Sequence, residues 1–243
     1  MSRLAEARHR TFAALAVRNY RLYFTGQVVS VSGTWMQTVA QAYLILFQLH
    51  GTGVDVAVAI GLQFLPLLLF GPFGGLIADR LDKRKILYAT QSSAGLLALA
   101  LGLLVVTHSV DLAAVFVFSA LLGVVNLFDN PARQTFVSEM VGLDLLPNAV
   151  SLNSVVMNSA RVIGPAIGGI LILTLGVSTC FIVNAASYAA VIVALALGLL
   201  VLTHSIDLGL VFALSALLGV VNLFDNPARQ TFVSEMEIGR AHV

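Results

Sequence analysis

The sequence is poor in charge and in cysteine. Only 10% of its 243 residues are Asp, Glu, Lys or Arg, and the net charge is +1, whereas soluble domains carry about 25% charged residues. No strongly basic surface is available to bind phosphates along a nucleic acid. The single cysteine, Cys180, excludes an intrachain disulfide and a multi-cysteine metal site. These absences exclude an ordinary soluble enzyme, a disordered chain and a nucleic-acid binder.

Long apolar runs are what the sequence does contain. Hydrophobic residues make up 58% of it, and its mean hydropathy is +0.95. A membrane-spanning helix needs about 20 mostly apolar residues, and continuous rather than alternating runs favour helices over barrel strands. We predict an all-α polytopic membrane protein, a six-helix bundle plus one duplicated helix. Its seven hydrophobic segments are Leu22–Phe47, Val56–Ala78, Ile86–Val106, Leu112–Phe128, Ala149–Leu173, Thr179–Leu199 and Leu208–Phe224.

The basic residues predict how the segments are oriented. Five arginines precede the first segment, four basic residues occupy 80–85 after the second, and Arg133 follows the fourth, but no Lys or Arg follows the first, third or fifth. Cytoplasmic loops are enriched in Lys and Arg. The first apolar run is too long for a cleaved signal peptide. We therefore expect a cytoplasmic tail at 1–21 and a six-helix bundle at 22–200 in the cell (inner) membrane.

Residues 98–140 reappear almost unchanged at 194–236, with six differences. The internal repeats of transporters are weak in sequence. This copy is also offset by three predicted helices, so it would cross the membrane upside down. We interpret 201–236, a near-copy of 105–140, as a chimeric seventh helix. The tail at 237–243, whose coding sequence resembles a sequencing adapter, is interpreted as non-native. A genuine recent duplication is the alternative.

Polar residues follow one face of the first segment. Their spacing of three and four residues is helical, and amides are costly in lipid unless they meet partners or water. They form either the wall of an aqueous substrate cavity or a packing seam between helices. We predict the cavity, with Asn158 and Arg161 of the fifth segment on the same wall. The first-segment residues are Gln27, Ser30, Thr34, Gln37 and Gln41.

Two further charges lie near membrane depth. Arg161 must face a cavity or pair with an acid, because an arginine facing lipid costs several kcal/mol. It either contacts an anionic substrate or a proton relay, or it pairs structurally with Asp129 or a carbonyl. Asp129 and Arg133 are four residues apart and can pair on one helix. Pro131 lies between them, however, so the alternative is a charge cluster where the helix ends or kinks at the cytoplasmic surface.

No catalytic triad, metal-ligand spacing or phosphate-binding glycine loop is visible in the sequence. We therefore expect a protein that is not an enzyme and that binds no metal or cofactor. Its expected partners are the lipid bilayer and a small-molecule substrate, and nucleic acid is not among them.

Two stretches resemble signatures of the major facilitator superfamily. The stretch from Gly75 to Lys85 is similar to the loop 2–3 signature G-x-x-x-D-[RK]-x-G-[RK]-[RK], with Asp82 in place of the second glycine. Ala160-x-x-x-Gly164-Pro165-x-x-Gly168-Gly169 resembles the helix 5 signature of exporters, with Ala160 for a glycine. Residues 33–37, 128–134 and 146–149 look like the enterobactin-exporter branch. The resemblance covers about residues 10–200.

The resemblance implies roles for particular residues. Gly164, Pro165, Gly168 and Gly169 are expected to shape helix 5 against its partner helix and to limit leak. A cytoplasmic gate is expected where charges pair with the opposite half of the transporter. Its residues are Gly75, Asp79, Arg80, Lys83, Arg84, Asp129 and Arg133.

The resemblance also implies a function. Two six-helix bundles alternate access to a midplane site, and proton entry drives export of a siderophore-like or drug-like molecule across the cytoplasmic membrane. Because the resemblance covers only the first bundle, we expect this chain to be a fragment that is inactive alone. The alternatives are a non-transporting scaffold or assembly subunit and a homodimeric transporter.

Overall fold

The structure is a computed structural model that describes the backbone of residues 12–203. Side chains are described in this range except at 78, 79, 190 and 194–203. Short turns join the helices: α1 (Arg18–Tyr43), α2 (Gly53–Arg80), α3 (Lys83–Val106), a long stretch at Leu112–Leu175, and α6 (Val177–Thr203). A 3-10 turn at Ala13–Ala16 precedes α1, and a π-helical turn at Leu44–Gln48 follows it. The predicted seventh segment at 208–224 and the tail at 237–243 lie outside the described residues.

The long stretch Leu112–Leu175 contains two antiparallel helices. Its backbone leaves helical geometry at Gly142, where φ is 72° and ψ is 170°, a conformation that glycine adopts readily. Val115 and Ile172 pack in the same apolar cluster, although a straight helix would separate them by about 85 Å at 1.5 Å per residue. The chain therefore reverses at Gly142. We call the part before it α4 (112–141) and the part after it α5 (143–175).

The fourth segment was predicted to end at Phe128, and this is wrong. Gly142 is the one residue of the stretch with non-helical backbone angles, so α4 continues through Pro131. Hydropathy marks where a helix is apolar, and the last turns of α4 are polar. Within the described residues, the turn between α4 and α5 is therefore much tighter than the sequence suggested.

The six helices alternate in direction. One apolar cluster, here the first cluster, joins the starts of α1, α3 and α5 to the ends of α4 and α6; its members include Tyr20, Leu87, Phe136, Leu152 and Val191. The second cluster joins the opposite ends of the helices. The helices up to Leu195 form one compact unit.

Within residues 12–203, three stretches are long and apolar enough to cross a membrane: Gly53–Ile77, Lys83–Val106 and Leu112–Leu175. A shorter apolar helix occupies Val177–Val193. With α4 and α5 counted separately, these apolar stretches contain α2 to α6. They do not include α1, which carries the row of polar residues from Gln27 to Gln41. The predicted all-α polytopic membrane fold is confirmed.

Candidate functional site

A buried ion pair joins three helices near the first cluster. Asp129 of α4 is only 6% exposed and accepts hydrogen bonds from Thr90 Oγ1 at 2.7 Å and Gln91 Nε2 at 2.8 Å, both from α3. Arg133, one turn later on α4, donates its Nε to Asp129 Oδ2 at 3.0 Å. Its Nη1 donates to Gln27 Oε1 of α1. The predicted pairing of Asp129 with Arg133 is present, and the network links α1, α3 and α4.

The other interpretation of these charges, a cluster at a helix end on the surface, is wrong. The helix continues past Pro131, and the Asp129 carboxylate is enclosed by polar donors rather than by solvent. A structural pair between Asp129 and Arg161 is also not formed, because Arg133 takes that place. Removing one partner of a buried ion pair leaves the other charge uncompensated, which is strongly destabilising.

The polar face of α1 contacts α4 and α6. Gln37 Oε1 accepts from Asn184 Nδ2 at 2.6 Å, and Thr34 Oγ1 lies 3.2 Å from the Tyr188 hydroxyl. Gln41 Nε2 donates to Ser119 Oγ of α4 at 2.7 Å. Ser30, on the same face, is buried. In this bundle the face therefore has the geometry of a packing seam, and its part in a substrate cavity stays a prediction.

Small residues of the predicted helix 5 motif let α5 lie directly against α1. A methyl group added at Gly164 would lie 2.6 Å from Ser32 O and 2.7 Å from Trp35 Cβ. One added at Gly168 would lie 3.3 Å from Met36 Cγ, whereas one at Gly169 would meet open space. Two glycines of the motif thus permit the close contact, while Pro165 and Gly169 lie beside it.

Arg161 and Asn158 lie on the exposed side of α5, next to this contact. The Arg161 Cζ lies 5.1 Å from the centre of the Trp35 ring, a cation–π distance. Asn158 Nδ2 donates to Ser154 O at 2.8 Å. Among the residues that the structure describes, Arg161 has no carboxylate partner. The guanidinium is therefore held by an aromatic ring and keeps its hydrogen-bond donors available.

Five of the predicted gate residues lie on or near the turn between α2 and α3, whereas Asp129 and Arg133 form the ion pair on α4. Arg80 is exposed, and Lys83 and Arg84 are half-buried; the Asp79 side chain lies outside the described residues. Gly75 has open space around it. Asp82 Oδ1 accepts from Arg84 N at 3.0 Å and caps α3, a role for which aspartate is well suited.

Several site residues were missed from the sequence. Thr90 and Gln91 hold the Asp129 carboxylate, and Asn184 and Tyr188 hold the polar face of α1. The signal was available, because these are polar residues inside apolar segments. They lie on the third and sixth segments, whereas the polar positions predicted from the sequence lie on the first, fourth and fifth.

Comparison with known proteins identifies the family. The family described as transmembrane secretion effectors matches residues 9–236. The chain is 30% identical over 165 residues to the MFS-type transporter YfiS of Bacillus subtilis, covering 67% of this chain and 38% of that protein. It is 25% identical over 169 residues to the staphyloferrin A transporter of Staphylococcus aureus, covering 69% and 42%. It is 26% identical over 162 residues to the enterobactin exporter EntS of Shigella flexneri, covering 65% and 38%.

The chain spans about two fifths of the length of these relatives. No solved structure matches it. The relatives confirm the resemblance to the major facilitator superfamily and its enterobactin-exporter branch. The chain is a multi-pass membrane protein that belongs to the transmembrane secretion effector family of major facilitator transporters.

Proposed function

We propose that the chain forms one six-helix half of a secondary active exporter of small siderophore-like or drug-like molecules. The names of two relatives, an enterobactin exporter and a staphyloferrin A transporter, support transport of this kind of substrate, and the first of them supports export. Because the chain spans only about two fifths of those relatives, a second bundle would complete the transporter. The two bundles would expose a central site alternately to each side of the membrane. Proton entry would drive export, and the chain alone would transport nothing.

Exposed polar side chains on α5 support a second bundle. Asn153, Asn158 and Arg161 are exposed on a helix that is long enough to cross the membrane. Arg161 lies about 21 Å from the Leu175 end of α5, by helix rise, and therefore near the middle of the helix. An arginine facing lipid at that depth costs about 2.5–3.5 kcal/mol on insertion scales. Covering this face with a second bundle, with water or substrate between, removes the cost.

The position of Arg161 supports an anionic group on the substrate. Its guanidinium is oriented by the Trp35 ring at 5.1 Å and presents several N–H donors that match a carboxylate or catecholate. The predicted cavity wall on α1 lies on the same helix as Trp35. In this proposal Asn158 and the half-buried Thr34 and Gln41 contact neutral polar groups of the substrate, while Arg161 contacts its charge.

The basic turn between α2 and α3 supports a cytoplasmic gate. Arg80, Lys83 and Arg84 lie at this turn, which is at the end of the bundle that contains the first cluster. Positive residues favour the cytoplasmic side, and there they would pair with acids of the second bundle. We propose that this end, with the N-terminus, faces the cytoplasm.

Cysteine labelling tests the orientation. Ser109→Cys places a thiol in the exposed turn between α3 and α4, and Lys85→Cys places one at the opposite end. In intact cells a membrane-impermeant maleimide should label the first variant and spare the second. The native Cys180 is buried and serves as the unlabelled background. Labelling of Lys85→Cys but not of Ser109→Cys would show that the chain has the opposite orientation to the one proposed.

Fluorescence of Trp35, the single tryptophan of the chain, tests the anion subsite. We expect 2,3-dihydroxybenzoate, a catechol with a carboxylate, to change the emission of the purified chain saturably, because it would compete for the guanidinium stacked on the ring. Arg161→Gln should abolish the change and Arg161→Lys should retain part of it. The control Arg21→Gln, an exposed arginine at the start of α1, should behave as the parent. An identical titration in Arg161→Gln would refute the subsite.

Flux measurements test the half-transporter proposal separately. Proteoliposomes that contain only this chain should show no proton-driven movement of the same compound above that of empty liposomes. Sustained flux that depends on the proton gradient would refute the need for a second bundle, whatever the outcome of the binding experiment.

A further inference from the structure

Four buried polar atoms on α1 and α3 make no hydrogen bond of normal geometry to any of the residues that the structure describes. They are Asn19 Oδ1, Tyr23 Oη, Gln27 Nε2 and Gln91 Oε1. Tyr23, Gln27 and Gln91 are all more than nine-tenths buried, so bulk solvent does not satisfy them. Buried polar groups in native proteins are almost always paired, and ordered water supplies the partner where protein atoms do not.

Three of these atoms follow one line along α1. Asn19, Tyr23 and Gln27 are spaced by four residues, which places them on the same helix face. The line is about 12 Å long by helix rise. It starts at the half-buried Asn19 near the beginning of α1 and ends at the ion pair, where Gln91 of α3 approaches from the other side.

The ion pair fixes which atom of each amide is left over. Gln27 turns its oxygen to the Arg133 guanidinium, so its NH₂ group remains. Gln91 turns its nitrogen to the Asp129 carboxylate, so its oxygen remains. Flipping Gln27 would turn its NH₂ donors toward the Arg133 guanidinium, and flipping Gln91 would turn its oxygen toward the Asp129 carboxylate. Both contacts would be repulsive. A donor and an acceptor are therefore both left free at the inner end of the line, and the Tyr23 hydroxyl, whose oxygen faces the Arg133 guanidinium, keeps its O–H to donate.

This arrangement selects the chemistry of the occupant. A cation would need acceptors only and would meet Arg133, while an anion would meet Asp129 and the oxygen of Gln91. The two charges of the ion pair cancel. A neutral molecule that both donates and accepts hydrogen bonds fits all of the unpaired atoms, and water is the smallest such molecule.

We propose that a file of ordered water runs along α1 from Asn19 past Tyr23 to Gln27 and Gln91, and that it hydrates the Asp129–Arg133 ion pair. The file enters at the end of the bundle that contains the first cluster. The ion pair that links α1, α3 and α4 is then held partly through water, and it stays in exchange with solvent although its side chains are buried. This proposal does not depend on transport or on the identity of the substrate.

Radiolytic hydroxyl-radical labelling tests the water file, because radicals formed from bound water oxidise the side chains beside it. The chain contains a matched control on the same helix. Tyr20 is as buried as Tyr23, but its hydroxyl donates to Ala149 O at 3.1 Å and needs no water. In lipid nanodiscs and H₂¹⁸O, Tyr23 should incorporate ¹⁸O severalfold faster than Tyr20. Equal rates would overturn the proposal.

Variants identify the groups that hold the water. Gln27→Met and Gln91→Met keep the side-chain length but remove the unpaired atom together with the hydrogen bond to Arg133 or to Asp129, and the Tyr23 rate should fall toward the Tyr20 rate. Asn19→Leu blocks the outer end without touching the ion pair, and it should slow incorporation at Tyr23. A rise in the labelling rate of Tyr20 would show that a variant has loosened the bundle. If a methionine variant raises that rate, the test rests on Asn19→Leu instead. Only methionine variants with the parent's Tyr20 labelling rate are compared. If the Tyr23 labelling rate is unchanged in these variants and in Asn19→Leu, the proposal is overturned.

Discussion

Gly164 lies where α5 is in closest contact with α1, and replacing it with alanine should separate the two helices. The added methyl would lie 2.6 Å from Ser32 O and 3.0 Å from Met36 N, both backbone atoms of α1 that no side-chain rotation can move. Ordinary van der Waals contact begins near 3.4 Å, so the helices would have to move apart by roughly 0.8 Å. Overpacking of this kind costs about 1–3 kcal/mol.

Gly169→Ala is the matched control for this substitution. It makes the same chemical change five residues later on the same helix, where a methyl would meet open space. Alanine is favoured over glycine inside a helix by about 0.5–1 kcal/mol. The two variants should therefore shift stability in opposite directions, although both raise the helix propensity of α5.

Thermal unfolding of the purified chain in one detergent, followed by circular dichroism, measures the difference. Gly164→Ala should unfold at a lower temperature than the parent and Gly169→Ala at an equal or higher one. Because the new methyl would also contact Trp35 Cβ, Gly164→Ala should shift the tryptophan emission before unfolding begins. Equal or greater stability of Gly164→Ala, with unchanged emission, would refute the packing argument.

Three further substitutions test other contacts by the same unfolding assay. Gly33→Ala should destabilise the bundle, because its methyl would clash with the α6 amide that pairs with the polar face of α1; a neutral effect would argue against that contact. Asp129→Asn should cost about 3–5 kcal/mol because Arg133 is left without its counter-charge, and adding Arg133→Gln should recover part of the loss. Tyr20→Phe should cost about 1 kcal/mol, the net contribution of one buried hydrogen bond; a loss as large as that of Asp129→Asn would show a further role for the hydroxyl.

The apolar runs of the sequence predicted the positions of helices such as α3 well, because the length of these helices is set by the apolar residues that contact lipid. The third segment, Ile86–Val106, became α3 at Lys83–Val106, because its apolar run begins one turn after the Asp82 cap. The predicted end of the fourth segment was wrong, because α4 continues as a helix beyond the point where its residues become polar. Pro131 was read as a break, yet a proline removes one backbone hydrogen bond, and the packing of Ala132 and Phe136 in the first cluster outweighs that loss.

Helical spacing predicted pairs on one helix but not pairs between helices. Asp129 and Arg133 are four residues apart, so their contact follows from local geometry. The spacing along α1 correctly placed Gln37 and Gln41 on one face, but it contains no information about what packs against that face. Asn184 reaches Gln37 from 147 residues away, and such a contact depends on the tertiary fold. The sequence pattern therefore shows which residues of α1 are polar but not which residues of other helices they bond.

The polar face of α1 changes character along its length, and this divides the bundle into two ends. Toward the second cluster, Thr34, Gln37 and Gln41 contact α4 and α6 by direct hydrogen bonds. Toward the first cluster, Tyr23 and Gln27 have unpaired atoms beside an ion pair. Helices joined through exchangeable water can move apart while the water keeps both polar surfaces satisfied, whereas directly bonded helices must first lose their partners. At the end that contains the basic α2–α3 turn, direct bonds of the ion pair still join α1, α3 and α4, so only the contacts that the proposed water would bridge could rearrange at that lower cost.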